Sequence, residues 1–110
     1  MKPEIWGVAV GGAVLAAMGQ VSFKWGAEGR QAFVDFINPA IMLGLLLYMA
    51  GTLLWVRALS AVPLTVLYPF AALTYVLVNV FAVALLGEQL SLRTVAGTGL
   101  VLLGLFLVAT

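Results

Sequence analysis

Two residue types that carry much of protein chemistry are missing from this 110-residue chain, which contains no cysteine and no histidine. The lack of cysteine excludes disulfides and thiol chemistry. The lack of histidine removes the most common transition-metal ligand and proton shuttle. With no embedded pair of acids either, the usual arrangements of nucleophile and base are absent. We therefore predict a protein that is not an enzyme and that carries no metal and no cofactor.

Charge is also scarce, since Asp, Glu, Lys and Arg make up 8% of the residues and hydrophobic residues make up 65%. A soluble domain is about one-quarter charged, so this chain has too few charged groups to cover a surface in water. The mean hydropathy of +1.20 indicates an integral membrane protein. The five basic residues form no block, so nucleic-acid binding is not expected.

Four apolar segments are long enough to cross a bilayer core of about 30 Å, which needs roughly 20 helical residues. They lie at about residues 5–25, 39–59, 62–86 and 91–109. The first contains Gln20 and Lys24 and lacks a convincing cleavage site, so we interpret it as a span and not as a signal peptide. Short links force antiparallel neighbours, which predicts a single all-α domain of four transmembrane helices with up-down-up-down topology.

The orientation in the membrane is weakly specified. Both termini are predicted on one side, together with Lys2 and Arg57, while Lys24, Arg30 and Arg93 fall on the other. The positive-inside rule then places the termini outside, but the near balance also permits insertion in both orientations.

A bundle of four helices fills its own centre with side chains, so a cavity large enough for a solute is expected to need a dimer. Span four carries Gly97, Gly99 and Gly104, and small residues let helices approach closely in lipid. These glycines are predicted either to pack inside the chain or to form the dimer contact.

Gln20 and Lys24 are four residues apart and therefore share a helix face. Lys24 is expected about 28 Å along the first span, near the interface, where its amine can snorkel to water or lipid phosphate. A glutamine deeper in a span usually faces protein or a cavity. Two interpretations stay open: a polar strip that meets an anionic headgroup, or an anchor plus a helix–helix hydrogen bond.

Arg57 ends span two, two residues after Trp55, and this combination is typical of a membrane interface. It is either a plain anchor or a second cation for a substrate. Arg57 and Lys24 are predicted at opposite ends of the bundle, so an anionic lipid crossing the bilayer would meet one on each face.

Span three contains Pro69, which removes a backbone hydrogen bond and predicts a kink. Such breaks can act as a hinge or expose carbonyls beside a cavity. Tyr68 and Tyr75 are seven residues apart and share a face that Asn79 extends. The helix is predicted either to line a cavity or to be a kinked packing helix whose polar groups bond to its neighbours.

The acidic residues avoid the middle of every span, since Glu4, Glu28, Asp35 and Glu88 all lie at span ends or in links. A proton-coupled exporter of cations needs a buried carboxylate, because desolvation raises the pKa of a carboxyl group towards neutrality. The sequence offers no such group.

Three stretches in order resemble the EamA-like branch of the drug/metabolite transporter superfamily. MGQVSFKWG, residues 18–26, resembles a first-span signature of Gly-Gln with a lysine four residues after the Gln. VPLTVLYPF, residues 62–70, resembles the start of the third span, with its Val-Pro and Tyr-Pro. GEQLSLRTVAGTGLVLLGLFLV, residues 87–108, resembles the Glu-plus-glycine pattern that closes EamA-like repeats.

The related small multidrug resistance branch fits less well. When Lys24 is set against the lysine that ends the first span of those proteins, Ala16 occupies the position of their membrane-embedded glutamate. This departure argues against drug/proton antiport.

The EamA-like branch includes the small paired flippase subunits for undecaprenyl-phosphate aminoarabinose, which the chain resembles over nearly its whole length. The resemblance implies an EmrE-like or EamA-like bundle in the bacterial inner membrane that flips a lipid-linked sugar, as a dimer with itself or with a paralogue. It points to Gln20, Lys24, Tyr68, Pro69 and Glu88.

The residues themselves suggest how such a substrate would be held. Gln20, Tyr75 and Asn79 offer hydrogen bonds to a sugar, and Lys24 or Arg57 offers a cation to a phosphate. Two alternatives stay open: a small-solute or drug exporter of the same fold, and a non-transporting accessory subunit of a membrane glycosyltransferase.

Overall fold

The computed structural model describes residues 2–109, and the side chains of all of these except residues 33 and 109. Over this range the chain is helical and contains no strand, which confirms the predicted all-α class. The helices are α1 (Pro3–Ala27), α2 (Pro39–Leu59), α3 (Leu64–Leu67), α4 (Phe70–Leu86) and α5 (Leu92–Ala109), with a short 3-10 helix at Phe33–Phe36.

Three helical segments are long and apolar enough to cross a membrane: Pro3–Ala27, Pro39–Leu59 and Leu64–Leu86. The third segment combines α3 and α4. The apolar stretch of α5, Leu92–Val108, is shorter and lies at the lower limit of the roughly 17–25 residues that span a bilayer. The chain is therefore a multi-pass membrane protein.

The ends of the helices follow from local capping chemistry. Pro39 occupies the first turn of α2, and the Asn38 side chain accepts a hydrogen bond from the Ile41 amide at 3.1 Å. The Ser91 hydroxyl accepts one from the Thr94 amide at 3.1 Å, so Ser91 is the N-cap of α5. The third span begins at Leu64, two residues later than the sequence indicated, because Pro63 and the turn before it stay outside the helix.

Helix α1 lies at the centre of the bundle and packs against both α2 and α4, whereas α5 packs more loosely against α4. The packing of α1 on α2 depends on glycine. A Cβ atom at Gly19 would lie 2.9 Å from the Gly44 carbonyl oxygen, and one at Gly51 would lie 3.0 Å from the Gly12 carbonyl oxygen. The two backbones therefore approach so closely that only hydrogen fits at these Cα atoms.

The glycines of α5, the predicted fourth span, do not pack against another helix in this way. Cβ atoms at Gly97, Gly99 and Gly104 would meet nothing within 4 Å. The alternative that these glycines pack inside the chain is therefore wrong, and close glycine packing occurs between α1 and α2 instead. Helix α5 is joined to α4 by a polar contact, in which the Asn79 amide donates to the Thr98 hydroxyl at 3.1 Å.

The apolar core sits at the end of the bundle that contains the N-terminus of α1. It consists of Ile5, Ala9, Ala58, Leu67 and Phe70, all of them buried. The Trp6 ring packs edge-on against Phe70, with ring centroids 5.2 Å apart. This core holds the start of α1, the end of α2 and the bend between α3 and α4 together.

The predicted break at Pro69 is present, since the helix is interrupted at Tyr68 and Pro69. The amides of Ala71 and Ala72 bond three residues back, to the carbonyls of Tyr68 and Pro69, both at 2.9 Å. This tighter hydrogen-bonding pattern is that of a 3-10 turn, so the chain bends without leaving helical backbone angles. Leu67 and Phe70 anchor the bend on either side because both are buried.

Replacing Gly19 by alanine is expected to destabilise the bundle by about 1–3 kcal/mol, because the new methyl group would overlap the Gly44 backbone. The matched control is Gly97→Ala in α5, where a Cβ meets open space and alanine favours the helix by up to about 1 kcal/mol. The unfolding free energy of both variants in detergent micelles or bicelles checks this. Equal stability of the two variants would contradict the proposed α1–α2 contact.

The Asn79–Thr98 hydrogen bond is expected to couple α4 and α5. A double-mutant cycle of Asn79→Leu and Thr98→Val should give a coupling energy of about 0.6 kcal/mol, the average measured for such bonds in membranes. The cycle of Asn79→Leu with Thr65→Val, at the far end of the third span, should be additive. A coupling of zero in the first cycle would show that Asn79 does not hold α5.

Candidate functional site

A cleft in the middle of the bundle lies between α1, α2 and the bend of the third span. Its volume is about 280 Å³. Its lining combines small residues of α1 with hydroxyl and aromatic groups from the other helices: Gly12, Ala13, Ala16, Tyr48, Gly51, Thr52, Trp55, Tyr68, Ala71 and Thr74. None of these residues carries a charge, so the middle cleft offers hydrogen bonds without a fixed charge.

The hydroxyl groups of the middle cleft come from both sides. Helix α2 contributes Tyr48 and Thr52, and the third span contributes Tyr68 and Thr74. The Thr52 hydroxyl donates to the Tyr48 carbonyl at 2.9 Å, and its oxygen still has a free lone pair for a ligand. Tyr68 is 65% exposed, so its ring stands at the open side of the cleft.

A second cleft, called here the lysine-end cleft, lies between α1 and α4 at the end of the bundle that contains Lys24. Its volume is about 300 Å³. Three polar residues, Gln20, Lys24 and Glu88, line it together with Val21, Val78, Ala82 and Leu86. Gln20 and Lys24 follow each other by one turn of α1, as the spacing predicted, while Ser22 faces α2 and donates to the Ala40 carbonyl at 2.6 Å.

Glu88 reaches the lysine-end cleft because the chain reverses direction at Gly87. Gly87 has a φ of +70°, in the left-handed region that favours glycine. The Glu88 amide bonds back to the Ala82 carbonyl at 3.2 Å, a bond typical of a glycine-terminated helix. The Gly-Glu pair of the sequence thus folds Glu88 back over the end of α4.

A third cleft, called here the arginine-end cleft, lies at the opposite end of the bundle, with a volume of about 440 Å³. It is lined by Lys2, Glu4, Ile5, Arg57, Ala61 and Val62. Arg57 pairs with Glu4 at 3.4 Å, with both side chains more than half exposed. An ion pair this exposed contributes little to stability, so it can open at small cost.

The structure separates the predicted site residues into groups. Gln20 and Lys24 line one end of the bundle, Arg57 lines the other, and Tyr68 lines the middle. Lys24 and Arg57 therefore lie at opposite ends, as expected. Since Glu4 pairs with Arg57 and lies 20 residues before Lys24 on one helix, about 30 Å separates the two cations.

Tyr75 and Asn79 line none of these three clefts. Tyr75 is 45% exposed, and Asn79 is engaged with Thr98. The 3-10 turn that follows Pro69 rotates the helix face, because each residue turns by about 120° instead of about 100°. Tyr68 lines the middle cleft and Tyr75 does not, so the stripe predicted for these two residues does not line one cleft.

Sequence reasoning missed the contribution of α2 to the middle cleft. Tyr48, Thr52 and Trp55 occur at spacings of four and three residues, a pattern that places them on one helix face. This spacing could have predicted that the three side chains line one side of a cleft. Glu88 was predicted at the end of span three, but only the tertiary fold places it in one cleft with Lys24.

Comparison with known proteins identifies the family of the chain. A search of solved structures found no significant match. In contrast, a probable 4-amino-4-deoxy-L-arabinose-phosphoundecaprenol flippase subunit of Yersinia enterocolitica is 35% identical over the full chain and 95% of the relative. Proteins with the same name from Erwinia tasmaniensis and Pseudomonas aeruginosa are 33% and 31% identical, over 91% and 94% of this chain and 90% and 82% of the relatives.

The pattern that defines the EamA-like transporter family matches residues 5–110, nearly the whole chain. This match includes all three clefts apart from Lys2 and Glu4 of the arginine end. The chain therefore belongs to the EamA-like transporter family.

Proposed function

We propose that the protein translocates a polyprenyl-phosphate-linked amino sugar across the bacterial inner membrane, and that it does so without covalent chemistry. The observation that carries this proposal is the series of three clefts along α1, with hydroxyl groups in the middle and a cation at each end. The names of the relatives, which specify a 4-amino-4-deoxy-L-arabinose-phosphoundecaprenol flippase subunit, supply the class of substrate.

Each cleft suits one step of the passage. Lys24 at one end and Arg57 at the other can bind the phosphate by charge-assisted hydrogen bonds. The hydroxyls of Tyr48, Thr52 and Tyr68 can replace water around the sugar in the middle of the membrane. A volume of about 280 Å³ is close to the lower end of the range for small-molecule sites, so the middle cleft suits a single sugar ring.

The polyprenyl tail needs no binding site in this mechanism, because it can remain in the lipid while the headgroup crosses. Tyr68 stands at the open side of the middle cleft. A change in the bend at Pro69 would widen or narrow that opening, since Tyr68 is next to the break in the helix. We therefore keep Pro69 as the proposed hinge.

A second subunit would complete the walls of the pathway. The bundle measures only 19 Å along its shortest axis, about the width of two helices. Most of α5 is exposed, and its glycines meet open space. The relatives are themselves named as subunits, so we propose that this chain works in a dimer, with itself or with a paralogue.

Proton-coupled export of a cation has less support from the geometry. Ala16 lines the middle cleft, at the position where the related exporters have a glutamate. Among the residues that line the three clefts, the acids Glu4 and Glu88 belong to the ends. The middle of the pathway thus has no carboxylate that could exchange a proton for a cation.

Native mass spectrometry of the protein, gently extracted from its own membrane with any partner subunit, tests the proposal. We expect a retained polyprenyl phosphate that carries an amino sugar. Lys24→Ala should lose this lipid because the phosphate loses its cation. Arg93→Ala should keep it, since Arg93 is an exposed cation in the first turn of α5 that lines none of the three clefts.

Protein without such a lipid, under conditions that retain other phospholipids, would contradict the flippase proposal and favour export of a small solute. Retention of the lipid by Lys24→Ala would show that the phosphate binds elsewhere. A stable complex with a glycosyltransferase and no bound lipid would favour the accessory-subunit alternative.

A second test separates the middle cleft from the rest of the third span. Tyr68→Phe removes a hydroxyl from the cleft and should slow translocation about two- to tenfold, the range expected for one hydrogen bond. Tyr75→Phe removes a hydroxyl outside the cleft and should have a smaller effect. In proteoliposomes, a membrane-impermeant amine reagent reports how much amino-sugar lipid has reached the outer leaflet. A larger effect at Tyr75 would favour the site predicted from the sequence pattern instead.

A further inference from the structure

The lysine-end cleft brings a cation and an anion together without pairing them. Within residues 2–109 the ion pair found is Glu4–Arg57, so Lys24 and Glu88 line the same cleft but lie beyond salt-bridge distance of each other. Both side chains are exposed at the mouth of the cleft. The two opposite charges are thus available to a third molecule that fits between them.

The floor between the two charges is apolar. It is formed by Val21 of α1 together with Val78, Ala82 and Leu86 of α4. Such a floor excludes water on one side and strengthens the interaction of each charge with a ligand. Gln20 lies one turn deeper than Lys24 and offers both a donor and an acceptor. The cleft therefore matches a polar ring that carries a positive group on one side and a negative group on the other.

The position of Glu88 is fixed by the backbone and not by a side-chain contact. The left-handed turn at Gly87 and the bond from the Glu88 amide to the Ala82 carbonyl hold its Cα atom over the end of α4. The carboxylate itself is not used to cap or to pair within the described chain. A carboxylate placed in a cleft but left unpaired can serve a ligand.

We propose that the lysine-end cleft is the specificity site for a zwitterionic headgroup, in which Glu88 binds the ammonium group of an amino sugar and Lys24 binds its phosphate. Gln20 bonds to the sugar hydroxyls between them. This inference rests on the proposed function, because it assigns the residue that distinguishes an amino sugar from a neutral sugar on the same lipid. Glu88 then recognises the amine, which only an amino sugar carries. Lys24 recognises the phosphate, which every phosphate-linked sugar carries.

The two ends of the bundle differ in whether their opposite charges are already paired. At the arginine end, the carboxylate of Glu4 and the guanidinium of Arg57 already pair at 3.4 Å, so a headgroup competes with this pair for both charges. At the lysine end, both charges are available at once. The initial selection of the substrate is therefore assigned to the lysine end.

The test compares two synthetic lipids that differ in one group: a short-chain polyprenyl phosphate linked to 4-amino-4-deoxyarabinose, and the same lipid with arabinose, which has a hydroxyl in place of the amine. Binding of each lipid to the full-length protein in nanodiscs, with any co-purified partner, is measured by titration. The wild-type protein is expected to bind the amino lipid roughly five- to tenfold more tightly, the effect of one charge-assisted hydrogen bond at a partly exposed site.

Glu88→Gln keeps the shape of the side chain and removes its charge. It should weaken binding of the amino lipid about five- to tenfold and leave binding of the arabinose lipid unchanged, so that the preference disappears. Glu88→Asp should retain most of the preference. Glu28→Gln is the matched control, because Glu28 is an exposed acid near the same end of the bundle that does not line the cleft. Lys24→Ala should weaken both lipids equally.

Equal affinity of the wild-type protein for the two lipids would overturn this inference and leave the proposed function intact. A Glu88→Gln variant that weakens both lipids equally would also overturn it, since that result indicates a structural role. If the wild-type protein binds neither lipid, both the inference and the proposed function fail. Unchanged thermal unfolding of the variants separates loss of the charge from loss of the fold.

Discussion

The close approach of α1 and α2 is the constraint on which the rest of the arrangement depends. Gly12 and Gly19 on one helix meet Gly51 and Gly44 on the other at backbone distance. In lipid, where no hydrophobic force drives helices together, such contacts gain their stability from van der Waals packing of the two backbones. The register of this contact decides which face of α1 remains for α4, and hence that Gln20 and Lys24 face the third span while Ser22 faces α2.

The polar groups of the spans are divided between holding the bundle together and serving a substrate. Ser22, Asn38 and Asn79 are bonded to neighbouring segments, to the carbonyls of Ala40 and Gly26 and to the hydroxyl of Thr98. In contrast, the hydroxyl groups of the middle cleft and the Lys24 and Glu88 side chains of the lysine-end cleft face open volume. Polar groups in a membrane are expensive to leave unsatisfied. Those that remain available therefore mark the path of a polar headgroup.

Much of the fold could be predicted from the sequence, because span length, the Ser91 cap and the break at Pro69 are encoded locally. The placement of Lys24 and Arg57 at opposite ends followed from the same helix geometry. The predictions that failed or were missing depended on tertiary contacts. Glycine content alone did not tell which pair of helices would touch, so the close packing inside the chain that one alternative expected at Gly97 occurs at Gly19 instead. The meeting of Glu88 with Lys24 needs the turn at Gly87, whose direction no helix pattern specifies.

The position of the apolar core at one end of the bundle has a mechanical consequence. Phe70 ties the start of α4 to the start of α1, whereas at the other end of α4 only Ala82 is buried. A tilt of α4 relative to α1 would therefore pivot near Phe70, beside the bend at Pro69. The displacement grows along the lever arm of α4, which is about 25 Å long. The gap between α1 and α4 would open widest at the lysine end, while the arginine end would hardly move. A single pivot would therefore give a substrate unequal access to the pathway from the two faces of the membrane.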